Sequence, residues 1–198
     1  MGRKICRADS RPDRILIAAT MKILPTKLKS AFRIEIVPIS DERGSFGRTF
    51  CAREFEAAGL EPAIAQCNVS FNAKRGTLRG MHFQRAPHSE AKLVRCVTGA
   101  IYDVIVDVDR NSPTFGQWEG FELSGAGLTM LYVGHGLAHG FQTLADDSQV
   151  LYNMSEFYHP QSAAGVRWND PAIGISWPIP DPIVSDKDRA LPLLNNLP

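Results

Sequence analysis

The sequence has no apolar run long enough for a membrane-spanning helix, and no signal-peptide core followed by a small-residue cleavage site. It has no C-x-x-C pair. Cys6, Cys51, Cys67 and Cys96 are widely and irregularly spaced, so neither a zinc knuckle nor a redox motif is readable, and free thiols of a cytoplasmic protein are the expectation. No H-x-H pair occurs either. His82, His88 and His139 are the imaginable metal ligands, but Pro87 and a loop separate the first two, which argues against the mononuclear metal site of a dioxygenase. An excess of charge of one sign is missing as well: the formal net charge is +1, which gives no drive toward nucleic acid or an anionic membrane. No stretch is periodic enough for a long helix, and no solenoid-type repeat is present.

What is present is a succession of short β-branched and aromatic runs. FRIEIVP alternates from Phe32, and CAREFEAAGL predicts a short helix stopped at Gly59. After Ala65, QCNVSFN and TLRGMHFQ read as strands, and KLVRCV and IYDVIVDV read as a pair joined across Thr98-Gly99-Ala100. WEGFEL, TMLYV, FQTL and QVLYNMSEF follow, separated by NSPTFG, SGAG, GHGLAHG and ADDS. Runs at this spacing predict an all-β antiparallel sandwich or barrel. The length of 198 residues suits one well-cored domain over residues 21–198. Residues 1–20 read as a mobile extension, or as the product of a start codon upstream of Met21. The proline-rich segment from Gly165 onward is expected to wrap the sheets as ordered loop, because a long loose tail would cost too much chain entropy.

Alternation assigns faces. In IYDVIVDV, Tyr102, Val104, Val106 and Val108 share a core face, while Ile101, Asp103, Ile105 and Asp107 mix acids with isoleucines on the other. Tyr152 lies between Val150 and Met154 on one face, so it should be partly buried with a hydroxyl that needs a partner. Arg75 to Val97 is the stretch richest in chemistry, setting Arg79, His82, Gln84, Lys92 and Arg95 among apolar residues and glycines. Such a mixture suits a pocket that takes an anion and moves protons, though a basic, solvated hairpin fits the same composition. Arg79 and His82 are three apart and would face opposite ways on an unbroken strand. Gly80 between them is a candidate bulge that turns both toward one cavity.

RGTLRGMHFQ, AKLVRC, GAIYDVIVDV with SPTFG, GLAHGF, VLYNMSEFY, RWNDP and SDKD occur in an order that resembles the dTDP-4-dehydrorhamnose 3,5-epimerase family, from about Lys27 to Pro192. The resemblance implies a cupin-type jelly roll acting on a nucleoside-diphosphate 4-keto sugar, with no cofactor and no metal, as a homodimer that exchanges N-terminal strand material. By position, His82 resembles the family base and Asp188 the carboxylate that orients it. Tyr152 resembles the general acid, and Lys92 the cation beside the keto oxygen. His139 is a further polar pocket residue. Arg79, Gln66 and Asn68 match contacts to the nucleotide sugar, and Arg43 matches a residue that reaches across the dimer. Arg48, Gly134, Leu137, Asn153 and Phe157 depart from the family pattern and leave open the base, the sugar and the number of carbons inverted. The alternatives are a 3,4-ketoisomerase on the same scaffold and a sugar-binding cupin without turnover.

Overall fold

The structure, a computed structural model, describes residues 20–197. Apart from Thr20, the expectation of a mobile extension falls outside them. In chain order the elements begin with β1 (Met21–Pro25), β2 (Ala31–Ile36), β3 (Ile39–Asp41), β4 (Gly44–Phe46) and helix α1 (Ala52–Ala57). There follow β5 (Gln66–Asn72), β6 (Thr77–Gln84), β7 (Lys92–Thr98), β8 (Ala100–Asp107) and β9 (Trp118–Ser124). The chain continues with β10 (Thr129–Val133), β11 (Leu137–Thr143), β12 (Ser148–Met154) and β13 (Ala163–Gly165). It closes with β14 (Ile183–Val184), a one-turn helix α2 (Asp186–Arg189) and a 3-10 turn at Leu194–Asn196. No helix among the described residues is long and apolar enough to cross a membrane.

Two sheets face each other. The first has the order β1-β2-β10-β7-β12-β5, and the second β13-β6-β11-β8-β9, with β14 added in parallel to β6. All other pairings are antiparallel, as a jelly roll requires. Between the sheets lies a core that includes Val94, Cys96, Ile101, Ile105, Leu131, Phe141 and Val150. Period-two alternation puts Leu93, Met130 and Tyr132 on the opposite, outer side of the first sheet, where Phe55 of α1 covers them. Helix α1 ends at Ala58 with Gly59 in the left-handed region, as its sequence predicts.

Three expectations need correcting. The predicted β7–β8 pair does not form: β7 bonds to β10 and β12, β8 to β9 and β11, and the chain passes from one sheet to the other at Gly99. Gly99 has φ +73°, and a Cβ there would press into Ser148, so the crossing needs glycine. GHGLAHG is only partly a connection, because β11 starts at Leu137 and carries His139 inside the sheet. The mixed face of β8 is as buried as its valine face. Ile101 and Ile105 point into the central core, while Val104 and Val106 meet a third cluster with Val166, Ile173, Ile175, Trp177 and Leu194 of the C-terminal segment.

That segment is therefore a cover for the outer face of the second sheet. Gln142 fastens it by two hydrogen bonds, donating to the Ile179 carbonyl at 2.9 Å and accepting from the Ile179 amide at 3.0 Å. Asp170 closes its end, accepting from the amides of Ala172 and Leu194. Buried side chains such as Ile173 and Leu194 each return about 2 kcal/mol, which offsets the entropy of ordering an aperiodic tail.

Candidate active site

Strand β6 is interrupted where the sequence suggested. Phe141 of β11 lies opposite Arg79 and His139 opposite His82, so three steps on β6 match two on β11. The extra residue turns Arg79 and His82 to the same side. Gly80 makes this possible: its φ is +139°, and a Cβ would lie 2.5 Å from Gly140 Cα. Both side chains enter a cavity of about 730 Å³ between the two sheets, which Gln66, Asn68, Lys92, His139, Tyr152 and Asp188 also line.

Asp188 reaches this cavity from the far end of the chain. Two parallel rungs between β14 and β6 position the segment, and Ser185 caps α2 by accepting from the Asp188 amide at 3.2 Å. Asp188 is buried, and its Oδ1 lies 2.8 Å from His82 Nε2 while Oδ2 accepts from the Gly80 amide at 3.2 Å. Burial alone would raise the Asp188 pKa. The hydrogen bond and charge of His82, with the Gly80 amide and Lys187, outweigh it and hold the carboxyl below its usual range. An ionised carboxylate only accepts, so His82 Nε2 carries the proton in that bond and Nδ1 is the basic nitrogen.

Tyr152 faces His82 from the opposite sheet, on β12 between Asn68 of β5 and Val94 of β7. Its hydroxyl makes no hydrogen bond among the described residues, unlike the satisfied core tyrosine that alternation suggested. Burial first, then the charge of Asp103, push its phenol well above the usual range, and Arg79 opposes them only in part. The group is thus a protonated donor at any working pH. The ring of His139 packs edge-on against it at 5.9 Å, and His139 Nε2 is held by both oxygens of Asp103 at 3.0 and 2.9 Å.

Lys92 crosses the gap between sheets. Its Nζ donates to the His82 carbonyl at 2.9 Å and pairs with Glu90 Oε1 at 2.9 Å, with both side chains buried. An ammonium has three protons, so one is left for an oxygen in the cavity. Arg79 Nε donates to Asn72 Oδ1 at 2.8 Å, which fixes its fork at the cavity wall.

Eight of the nine residues to which the resemblance gives a place in the site come together here. Arg43 does not: it sits exposed in the β3–β4 hairpin, paired with Asp41 of the same turn. Sequence reasoning missed Glu90, Asp103 and Ser185. The acid-and-isoleucine alternation of β8 was a signal for Asp103, since an acid in such a run needs a buried partner. His88, weighed as a metal ligand with His82 and His139, is outside the cavity lining and stacks on His159 instead.

Comparison with known proteins places this geometry. A family described as dTDP-4-dehydrorhamnose 3,5-epimerase matches residues 25–196. A dTDP-4-dehydrorhamnose 3,5-epimerase of Methanothermobacter thermautotrophicus is 43% identical over 174 residues, 86% of this chain and 93% of that protein. The crystal structure of the Bacillus anthracis dTDP-4-dehydrorhamnose 3,5-epimerase with TDP and PPi bound is similar at TM-score 0.84 and 43% identity. It covers 88% of this chain and 99% of that one. The Legionella pneumophila dTDP-6-deoxy-D-glucose-3,5-epimerase in complex with dTDP-4-keto-L-rhamnose is 36% identical at TM-score 0.84, covering 90% and 95% of the two chains.

Proposed function

This chain belongs to the dTDP-4-dehydrorhamnose 3,5-epimerase family, and from that premise we propose how its own residues carry the reaction. It is an isomerase that epimerises a nucleoside-diphosphate 4-keto-6-deoxy sugar at carbons next to the ketone. The C–H bonds at C3 and C5 are acidified by the C4 carbonyl. His82 Nδ1 takes one of these protons, and Asp188 stabilises the imidazolium that forms. The electron pair moves onto the C4 oxygen, where the third proton of Lys92 meets the developing charge. Tyr152 then returns a proton to the same carbon from the other face. Arg79, Gln66 and Asn68 hold the nucleotide sugar, and His139, fixed by Asp103, keeps the Tyr152 ring in place.

One observation carries this reading: the base lies on β6 of one sheet and the acid on β12 of the other. Inversion needs removal and delivery on opposite faces of a ring, and a cavity walled by the two sheets offers both. The partner is a dTDP-linked sugar, since the relatives with bound ligands hold TDP and dTDP-4-keto-L-rhamnose.

The assembly we infer is a homodimer joined through N-terminal strand material. Strand β2 is already paired on both sides, so β1 is the available edge rather than FRIEIVP itself. Every residue of the β3–β4 hairpin is exposed, Phe46 by 72%, which suits an arm that packs on a partner and presents Arg43 to its site. Cytoplasmic residence fits the free thiols Cys51, Cys67 and Cys96.

The test is solvent deuterium entry. With a dTDP-4-keto-6-deoxyhexose in D₂O, the wild-type enzyme introduces deuterium at C3, C5 or both and yields the inverted sugar. His82→Asn abolishes entry. Tyr152→Phe keeps exchange but loses inversion, because base and enolate survive while the opposite-face proton does not. Exchange at wild-type rate in His82→Asn overturns the assignment of the base. A product with its ketone at C3 identifies a ketoisomerase instead.

A further inference from the structure

Beside the cavity rim, outside the proton-transfer machinery, lies a second cluster: His88 on the connection after β6, and Glu156 and His159 on the connection after β12. One ligand atom from each can be chosen so that all three lie within 4.8 Å of one another. We propose that these three side chains bind one divalent transition-metal ion of the zinc type, which clips together the two connections that edge the cavity.

The backbone around the cluster is already fixed. Gln84, buried at the end of β6, donates to the carbonyls of His88 at 2.9 Å and Phe157 at 3.0 Å, and accepts from the His159 amide at 2.6 Å. Ala91 and Ser155 lock the same connections through two further bonds at 2.7 and 2.9 Å. The ligand-bearing residues are therefore held by a spent amide; of their own ends, Glu156 Oε1 accepts from the Phe157 amide at 2.6 Å and the two imidazoles are unspent. Neither imidazole of His88 or His159 makes a hydrogen bond among the described residues. Glu156 Oε1 stands 3.7 Å from His159 Nε2. The side chains of Glu156 and His159 are each 33% exposed, which leaves an entry path for an ion.

The donor set selects the metal. Two neutral imidazoles and a carboxylate make a three-ligand zinc site with a fourth position for water, whereas magnesium and calcium prefer oxygen alone. The two rings stack at 3.6 Å with planes 13° apart, so their in-plane lone pairs do not yet converge. Turning one ring about its Cβ–Cγ bond, a soft rotation for histidine, brings both nitrogens toward Glu156. Glu156 lines the cavity while His88 and His159 do not, so the ion sits at the rim as a fastener, apart from His82 and Tyr152.

The full chain, stripped with EDTA and dialysed free of it, is titrated with Zn²⁺ by calorimetry and with Co²⁺ by visible absorption. Wild type should bind one equivalent at this site, show the d–d bands of an imidazole-ligated ion, and gain several degrees in Tm at a hundredfold excess over Kd. Mg²⁺ should do none of this. His88→Asn with His159→Asn should remove the equivalent and the Tm gain, Glu156→Gln should weaken binding about tenfold or more, and His82→Asn should retain it. Zn²⁺ binding equally well to the double variant, or lost only in His82→Asn, overturns the proposal. Should the double variant not fold in EDTA, Glu156→Gln decides: Co²⁺ bands and affinity unchanged from wild type refute the site.

Discussion

Replacing Lys92 by methionine should cost the fold as well as the chemistry. The Lys92 and Glu90 side chains are 8% and 4% exposed, and Glu90 Oε2 already has no hydrogen-bond partner. Removing the ammonium leaves a carboxylate out of water with neither oxygen paired by charge. Breaking a buried pair from one side costs about 3–5 kcal/mol. In a domain of this size each kcal/mol moves Tm by about 2–4 °C, so a fall of roughly 10 °C is expected. Replacing both residues, Lys92→Met with Glu90→Leu, removes the stranded charge and should recover most of the stability, because apolar substitutes for a buried pair are often neutral. Urea denaturation of wild type, both single variants and the double variant gives the coupling energy. Activity should not follow stability: the double variant folds yet has no cation for the C4 oxygen. A loss below about 1 kcal/mol in Lys92→Met, or a double variant as unstable as the single one, would refute the buried-charge reasoning.

Three further outcomes follow from the same geometry. Gly80→Ala puts a Cβ 2.5 Å from Gly140 Cα at a φ of +139°, and calorimetry should show a loss of about 3 kcal/mol together with a loss of turnover. Asp188 has a lowered carboxyl pKa, so its contribution is present above the unfolded value near 4 and disappears as pH falls through the folded value. Tm measured across the acid range should therefore decline less steeply in Asp188→Asn than in wild type, and parallel curves would sink that linkage. Tyr152 should remain a phenol past pH 10, so the tyrosinate absorbance of wild type minus Tyr152→Phe should be flat up to there. A difference spectrum titrating near 10 would contradict its buried environment.

What alternation can reveal was legible, and what depends on distant partners was not. The parity clash between Arg79 and His82 pointed to a bulge at Gly80, since glycine between two polar residues of a strand is a local signal. The β7–β8 pair failed because a short link around a glycine serves a sheet crossing as well as a hairpin. His139 read as part of a turn because three glycines surround it, yet Gly140 is there so that β6 and β11 can approach closely. The mixed face of β8 read only as acids among isoleucines, because the pattern tells that Asp103 needs a partner but not that the partner is His139, nor that a tail covers the valines. The joining of His82 and Asp188, 106 residues apart, came from the order of motifs and from no spacing within the chain.

The late position of Asp188 also orders events in the life of the molecule. Strands β1 to β12 all precede it by more than thirty residues, so they can be made before His82 has a carboxylate beside it. Domains begin to fold as they are synthesised from the N-terminus. The strands that wall the cavity can thus pair before the Asp188 carboxylate arrives, and the docking of α2 against β6 is the step that sets it beside the His82 imidazole.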